Sequence, residues 1–130
     1  MNRVTLCGRL GADPEIKTIE REGKDPMDIA NFRMATDERR TAASGEKSTH
    51  TEWHRIVAFG RNAEVAGAYL KKGRKVIVEG SLRTRTYEDK DKVQRRITEI
   101  ICSRIEFVDS APKADAIPEP PEIDAENIPF

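Results

Sequence analysis

The stretch TEWHRIVAFG, residues 51–60, decides how this chain of 130 residues is interpreted. Successive side chains of a β-strand point to opposite faces of the sheet. On such a strand Trp53, Arg55 and Phe59 share one face, and Ile56 lies on the other. The stretch therefore predicts a strand whose apolar side packs into a core, while aromatic rings and a cation interleave on its second side.

The sequence on both sides of this stretch predicts four further strands and one helix. Alternating apolar residues indicate the strands, and apolar residues at a spacing of three and four indicate the helix. Polar segments without apolar periodicity indicate loops. The expected elements are strands over residues 4–10, 29–36, 75–82 and 96–108, a helix over 62–72 closed by Lys71-Lys72-Gly73, a long mobile loop over 37–50 and a polar hairpin over 83–95, with residues 15–20 able to extend as well.

The order of these elements is three strands, one helix and two strands. It is typical of the OB-fold, a small Greek-key barrel that exposes one face to oligomeric ligands. We therefore predict an all-β protein, a five-stranded Greek-key OB-fold barrel with one α-helix between strands 3 and 4. A split sheet covered by one helix is the alternative architecture.

Charge divides the chain into two parts. Residues 1–108 hold 22 basic and 17 acidic side chains, whereas residues 109–130 hold one basic and six acidic side chains, so the formal net charge of zero is the cancellation of +5 and −5. The second part also contains five of the seven prolines and few large apolar residues, too few to offset the entropy of ordering. We expect one domain over residues 1–108 and a disordered acidic tail over residues 109–130.

Several classes of protein and site are disfavoured by the same sequence. The longest apolar run, residues 56–59, is far shorter than the about 20 residues that span a bilayer, and no apolar signal segment precedes the first strand. We expect a soluble cytoplasmic protein with no membrane partner. Cys7 and Cys102 are interpreted as packing residues, and His50 and His54 are not spaced to reach one metal ion on a strand.

No group of residues has the arrangement that catalysis needs. The carboxylates Asp89 and Asp91 lie on a charged hairpin tip, without a buried partner that would shift a pKa for acid–base chemistry. We therefore expect no catalytic site, no metal and no cofactor, and a protein that is not an enzyme.

A second strand repeats the arrangement of aromatic and cation. Arg83, Arg85 and Tyr87 share a face. An aromatic ring left exposed finds a flat partner in a nucleobase, and a neighbouring arginine pairs with the adjoining phosphate. Because every base has a flat face, such a surface predicts binding of single-stranded nucleic acid with little sequence preference.

The alternative is that Trp53 and Phe59 belong to the core. The same parity would then bury Arg55, and burying an unpaired charge is costlier than exposing an isoleucine. On the preceding strand Phe32 is expected to point inward, which places Arg33 on the ligand face.

Four blocks of this sequence resemble the bacterial single-stranded DNA-binding protein family. They are residues 4–15 (VTLCGRLGADPE), 51–60 (TEWHRIVAFG), 69–73 (YLKKG) and 79–85 (EGSLRTR), and the final residues 124–130 (DAENIPF) are similar to the acidic tip of that family. The resemblance implies an OB-fold that assembles as a homotetramer and wraps single-stranded DNA during replication, recombination and repair. It further implies a nucleoid-associated protein that recruits replication and repair enzymes through its tips.

The resemblance also implies roles for individual residues. Trp53, Phe59 and Tyr87 match positions where family members stack bases, with Arg55, Arg83 and Arg85 beside them, and His54 matches a subunit interface. Arg40 stands where the family often has an aromatic residue, so fewer stacking platforms are expected. The remaining candidates are Arg3, Arg33 and Lys72 for nucleic acid, and Asp124, Glu126, Ile128, Pro129 and Phe130 for partner enzymes.

Two other classes of function are compatible with an OB-fold. One is a primosome-type adaptor that binds mainly other proteins. The other is a nuclease, which would need clustered carboxylates to hold a metal ion, and no predicted strand offers them.

Overall fold

Alternating apolar residues fold residues 1–108 into a sheet of six strands with a single helix. This is the part of the chain that the structure, a computed structural model, describes, so the predicted tail and its candidate residues lie outside the described residues. The elements are β1 (Val4–Leu10), β2 (Glu15–Arg21), β3 (Lys24–Thr41), β4 (Lys47–Phe59), α1 (Arg61–Tyr69), β5 (Lys75–Glu88) and β6 (Gln94–Phe107).

Five of the strands close into a ring. Their order is β1-β5-β6-β4-β3, and β1 returns to β3 at two residue pairs, Arg9–Ala35 and Leu10–Met34. All pairings are antiparallel except that between β4 and β6. The predicted five-stranded OB-fold barrel, with its helix before the last two strands, is therefore confirmed. The sixth strand is β2, which forms a hairpin with the first half of β3 outside the ring.

The interior of the barrel is filled by the apolar positions of the alternating strands. The largest fully buried side chains come from β1, β3, β4 and β5, and α1 adds two small ones. Full burial of a side chain of this size stabilises a fold by about 1.5 to 3 kcal/mol. These residues are Phe32, Leu10, Met34, Ile56, Val76, Val78, Ala63 and Ala66.

The helix is shorter than predicted. It ends at Tyr69, and Leu70 already has an extended conformation, with its side chain buried in the core. Lys71 and Lys72 therefore follow the helix, and no basic residue lies in its last turn. Burial of Leu70 outweighs the tendency of the lysines to continue the helix, and the prediction of a helix to residue 72 is wrong.

The prediction of a long mobile loop over residues 37–50 is also wrong, because most of this segment forms paired strands. The ladder between β3 and β4 continues to the pair Thr41–Lys47, and a short turn with Gly45 at φ 85° joins the strands. All side chains from 37 to 50 are exposed. Backbone hydrogen bonds rather than buried side chains hold this segment together, so its sequence shows no alternation of apolar residues. We call residues 37–51 the first arm.

The hairpin predicted over residues 83–95 is present, and we call it the second arm. It leaves the barrel near Gly80, where the ladder between β5 and β6 is irregular. A Cβ atom at Gly80 would collide with the carbonyl group of Ile101. Glycine is thus required where β5 passes closely over β6.

The two cysteines differ in environment. Cys102 is buried as predicted, and burial raises the pKa of its thiol to about 11. Cys7 is exposed, because it lies on the outward face of β1, so its interpretation as a packing residue is wrong.

Candidate nucleic-acid interface

An open cleft lies between the two arms. β4 and β6 pair only at Ile56–Ile100 and Val57–Ile101, and beyond these pairs the strands separate into different hairpins. The cleft has a volume of about 380 Å³. Its lining residues are Arg33, Glu52, Trp53, His54, Arg55, Leu82, Thr98 and Ile100.

Trp53 is the aromatic residue of this cleft. It lies on β4 opposite Ala35 of β3, and it keeps part of its surface exposed. Ile56 and Ala58, on the opposite parity, are completely buried in the barrel. The alternative in which Trp53 is a core residue is therefore excluded, and its ring borders the cleft.

Arg33 and Arg55 form the floor of the cleft. They lie directly opposite each other on β3 and β4, with 6% and 9% of their surface exposed. We expected exposed guanidinium groups on this face, and that expectation is wrong, because both lie at the base of the cleft where the strands are still packed together. Burial lowers the pKa of both arginines.

The second arm brings three candidate residues beside this floor. Arg83 and Arg85 are exposed on β5, and Tyr87 is half-buried opposite Arg95. The Nε atom of Arg85 donates to a carboxylate oxygen of Glu99 at 3.1 Å.

Glu99 is a site residue that the sequence reasoning missed. It is 7% exposed, and its negative charge opposes the lowering of the pKa of Arg55 by burial. Its position in the sequence offered a signal, since it alternates with Ile97 and Ile101 in a strand. A charged residue at such a position is partly or fully covered and must be paired.

The structure places three candidates away from the cleft. Phe59 shares a face with Trp53 but lies six residues further along β4, about 20 Å at 3.3 Å per residue. Arg3 forms an ion pair with Glu79 before β1 begins. Lys72 follows α1, and its backbone N–H donates to Asp13 at 2.8 Å.

His54, the candidate interface residue, is half-buried on the parity opposite to Trp53. Its Nε2 atom lies 2.8 Å from the hydroxyl of Thr36. Burial lowers the pKa of His54, and the nearby charge of Glu52 partly opposes that effect.

A second groove lies at the tip of the first arm, in a segment for which the sequence predicts a loop. It carries three exposed cations on adjacent strands and has a volume of about 420 Å³. Its lining residues are Arg39, Arg40, Thr41, Lys47, Ser48 and Thr49.

Within residues 1–108, no three side chains of His, Cys, Asp or Glu lie close enough together to hold a metal ion. In the same part of the chain, no helix has the length and apolar character needed to cross a membrane.

A closed five-stranded barrel with two arms, an aromatic-lined cleft and guanidinium groups at its floor defines an OB-fold with a face suited to an anionic, oligomeric ligand. More specifically, the chain belongs to the single-strand binding protein family, whose family model matches residues 1–108.

Solved structures of the same family have this architecture. A Plasmodium falciparum SSB in complex with ssDNA is 39% identical, with a TM-score of 0.73, and the match covers 84% of this chain and 96% of that chain. A deletion mutant of the single-stranded DNA binding protein from Thermus aquaticus is 28% identical, with a TM-score of 0.70, and the match covers 84% of this chain and 51% of that chain.

Proposed function

We propose that this protein binds single-stranded DNA with little sequence preference, in the cleft between its arms. The observation that carries the proposal is the partly exposed indole of Trp53 beside the guanidinium of Arg55 in an open cleft. Membership of the single-strand binding protein family supports it, as does the likeness to a Plasmodium protein in complex with ssDNA.

In this proposal aromatic rings bind bases and arginines bind phosphates. A base stacks on Trp53, which is worth about 1 to 3 kcal/mol. Arg83 and Arg85 are exposed and meet phosphates directly, whereas Arg33 and Arg55 act from the floor as a fixed positive potential. The roles of Tyr87 and Phe59 as further stacking platforms, and of Arg3 and Lys72 as distant cations, rest on the sequence alone.

Fluorescence titration tests this proposal directly, because Trp53 is the only tryptophan in the chain. Oligo-dT should quench its emission, and oligo-dC should bind with similar affinity. The logarithm of the binding constant should fall with the logarithm of salt concentration by about 0.7 per phosphate contact. If oligo-dT at low salt does not change the Trp53 emission of the folded protein, the result contradicts the proposal. It then favours the alternative function of an adaptor that binds mainly other proteins.

We further propose that the protein acts as a homotetramer. Within the described residues, β1 pairs with β5 along most of its length but with β3 only at Arg9 and Leu10, and the backbone of Ala35 also lies close to Gly8. The other edge of residues 4–7 is therefore available to a strand of a second copy. The place of His54 at a subunit interface rests on the family resemblance. Light scattering of the free protein measures the mass, and a monomer at micromolar concentration rejects the assembly.

The acidic tail is proposed to recruit replication and repair enzymes. In Phe130 the tip has a ring for an apolar pocket, and its acids Asp124 and Glu126 favour a basic rim. Removing residues 128–130 should abolish capture of such enzymes and spare DNA binding. Retained capture would contradict this role. The whole proposal is of a DNA-binding protein, without a catalytic step or a cofactor.

A further inference from the structure

Among the described residues Glu99 is the one acid with a buried side chain, and it lies among the arginines Arg33, Arg55, Arg83 and Arg85. We propose that Glu99 is a positioning residue for DNA binding, which holds Arg85 in the orientation that meets a phosphate and offsets the positive charge of the cleft floor. The inference rests on the proposed function, since it names what orders the phosphate contacts of that same site.

The strand register places Glu99 within a row of arginines that crosses four strands. Arg33 of β3 lies opposite Arg55 of β4. Arg55 and Glu99 each lie one residue before the parallel pair Ile56–Ile100, where β4 and β6 begin to separate, and they are close enough for the charge of Glu99 to act on Arg55. Arg83 of β5 lies opposite Glu99 on its other side. The acid therefore has arginines on both neighbouring strands.

The contacts of Glu99 distinguish it from a surface acid. Its side chain is 8% exposed, and the oxygen Oε1 accepts from Nε of Arg85 at 3.1 Å. The side chain of Arg85 is itself 45% exposed. The Nε side of its guanidinium is therefore held by Glu99, while nearly half of the side chain remains exposed and can be reached by a phosphate.

This arrangement reduces the cost of binding. A free arginine side chain on a strand samples many rotamers, and immobilising it on a ligand loses that freedom. A side chain already held by a charge-assisted hydrogen bond loses less. The same carboxylate also makes it less costly to keep the guanidinium of Arg55 nearly buried, because it opposes the effect of desolvation.

The proposal predicts the opposite of simple charge counting. Removing an acid from a surface that binds a polyanion should tighten binding if charge alone matters. If Glu99 positions Arg85, removing it should weaken binding even though the net charge of the domain rises by one.

The test measures oligo-dT affinity across a salt series for the full chain and its variants. Glu99→Ala should weaken binding about fivefold, the effect of one lost hydrogen bond, and should reduce the salt slope by about 0.7, one phosphate contact. Glu99→Gln should bind at least as tightly as the unmodified protein, since its amide oxygen still accepts from Arg85. In a background of Arg85→Ala, Glu99→Ala should cause no further loss.

Glu52→Gln is the matched control. It also removes one negative charge near Arg55, in this case from a residue that lines the cleft, but Glu52 is exposed and its carboxylate contacts the ring of His50 at 3.0 Å. This variant should bind more tightly than the unmodified protein. The pair of variants thus separates the loss of a negative charge from the loss of a positioning contact.

Several results would overturn the proposal. If Glu99→Ala folds and binds oligo-dT as tightly as the unmodified protein, or more tightly, Glu99 acts only through its negative charge and does not position Arg85. If Glu99→Ala does not fold, Arg85→Lys tests the same contact from the other side, because this variant keeps the positive charge and loses the Nε donor to Glu99. Arg85→Lys should weaken binding, although less than Arg85→Ala because the lysine keeps the positive charge, and affinity equal to that of the unmodified protein rejects the proposal. If the unmodified protein itself does not bind oligo-dT, the proposed function fails instead.

Discussion

The two arms are continuations of four of the five barrel strands, yet the barrel and the arms are stabilised in different ways. Within the barrel, β3 to β6 alternate between fully buried apolar residues and a second face. Beyond it, the same strands continue as hairpins in which nearly every side chain is exposed. Burial holds the barrel together, whereas ladder hydrogen bonds and a few polar contacts hold the arms.

The difference separates stability from binding. A side chain in the barrel contributes by leaving water, so its replacement is felt in the free energy of unfolding. A side chain in the arms is already solvated, so its replacement leaves that free energy nearly unchanged and alters what the surface can hold. The cleft lies where these two regions meet. Arg33 and Arg55 at its floor, and Glu99 on the neighbouring strand β6, are charged and yet nearly buried.

The largest effect is expected from a core aromatic. Phe32 is 2% exposed in the middle of the barrel. Phe32→Ala should lower the free energy of unfolding by about 3 to 5 kcal/mol, because a cavity replaces the ring. Urea unfolding at a fixed protein concentration measures it. The DNA affinity of the fraction that stays folded should be unchanged.

Tyr87→Ala is the matched change in the second arm. Tyr87 is half-buried on a solvated hairpin, so its removal should cost less than about 1 kcal/mol of stability. Equal losses of stability in Phe32→Ala and Tyr87→Ala would show that the arms are part of the cooperative core, and the distinction between the two regions would then fail.

The next largest effect is expected at the boundary of the two regions. Trp53→Ala should weaken binding to oligo-dT by about 1 to 3 kcal/mol, the value of one stacked base. Its effect on unfolding should be smaller than that of Phe32→Ala, since part of the ring is exposed. Fluorescence anisotropy of a labelled oligonucleotide measures the affinity without the tryptophan signal.

Tyr69→Ala provides the control for Trp53→Ala. Tyr69 is an exposed aromatic at the end of α1, where its ring meets the ring of Phe107 edge to face at 5.9 Å between centroids. Its removal should leave oligo-dT affinity unchanged. A loss comparable to that of Trp53→Ala would mean that exposed aromatic area, rather than the cleft, determines binding.

The sequence predicted the barrel well, because period-two alternation is a direct consequence of burial on one face. Ile56 and Ala58 are buried, and the strand over residues 51–59 lies inside β4. The same periodicity did not predict the strands over residues 37–50, because a hairpin that is solvated on both faces has no alternation of apolar residues. The end of α1 depended on the tertiary burial of Leu70, which local propensity does not encode.

The candidate site was predicted in part for a related reason. Parity alone identified the face that carries Trp53, Arg33 and Arg55. It could not show that the two arginines are nearly buried, because their cover comes from the packing of several strands. The contact between Glu99 and Arg85 joins two strands in a register that no single strand reveals.

The smallest of the expected effects concerns pH and His54. Burial lowers the pKa of His54 from its ordinary value of 6.5, so the folded state favours the neutral ring. The unfolded chain binds a proton more readily, so the contribution of the neutral ring to stability is complete above the unfolded pKa and is lost as pH falls from there through the lower folded pKa. Unfolding free energy should decline between about pH 7 and pH 5, and His54→Gln should reduce that decline.

His50→Gln tests whether the decline belongs to this residue, because the chain contains only two histidines. His50 is exposed beside Glu52 on the first arm, whereas His54 is half-buried against Thr36 at the edge of the barrel. His50→Gln should keep the decline. In the unmodified protein the hydrogen bond with His50 is the main cause that lowers the pKa of Glu52. A pH profile that is unchanged by His54→Gln but flattened by His50→Gln would place the titrating group in the solvated arm rather than in the barrel.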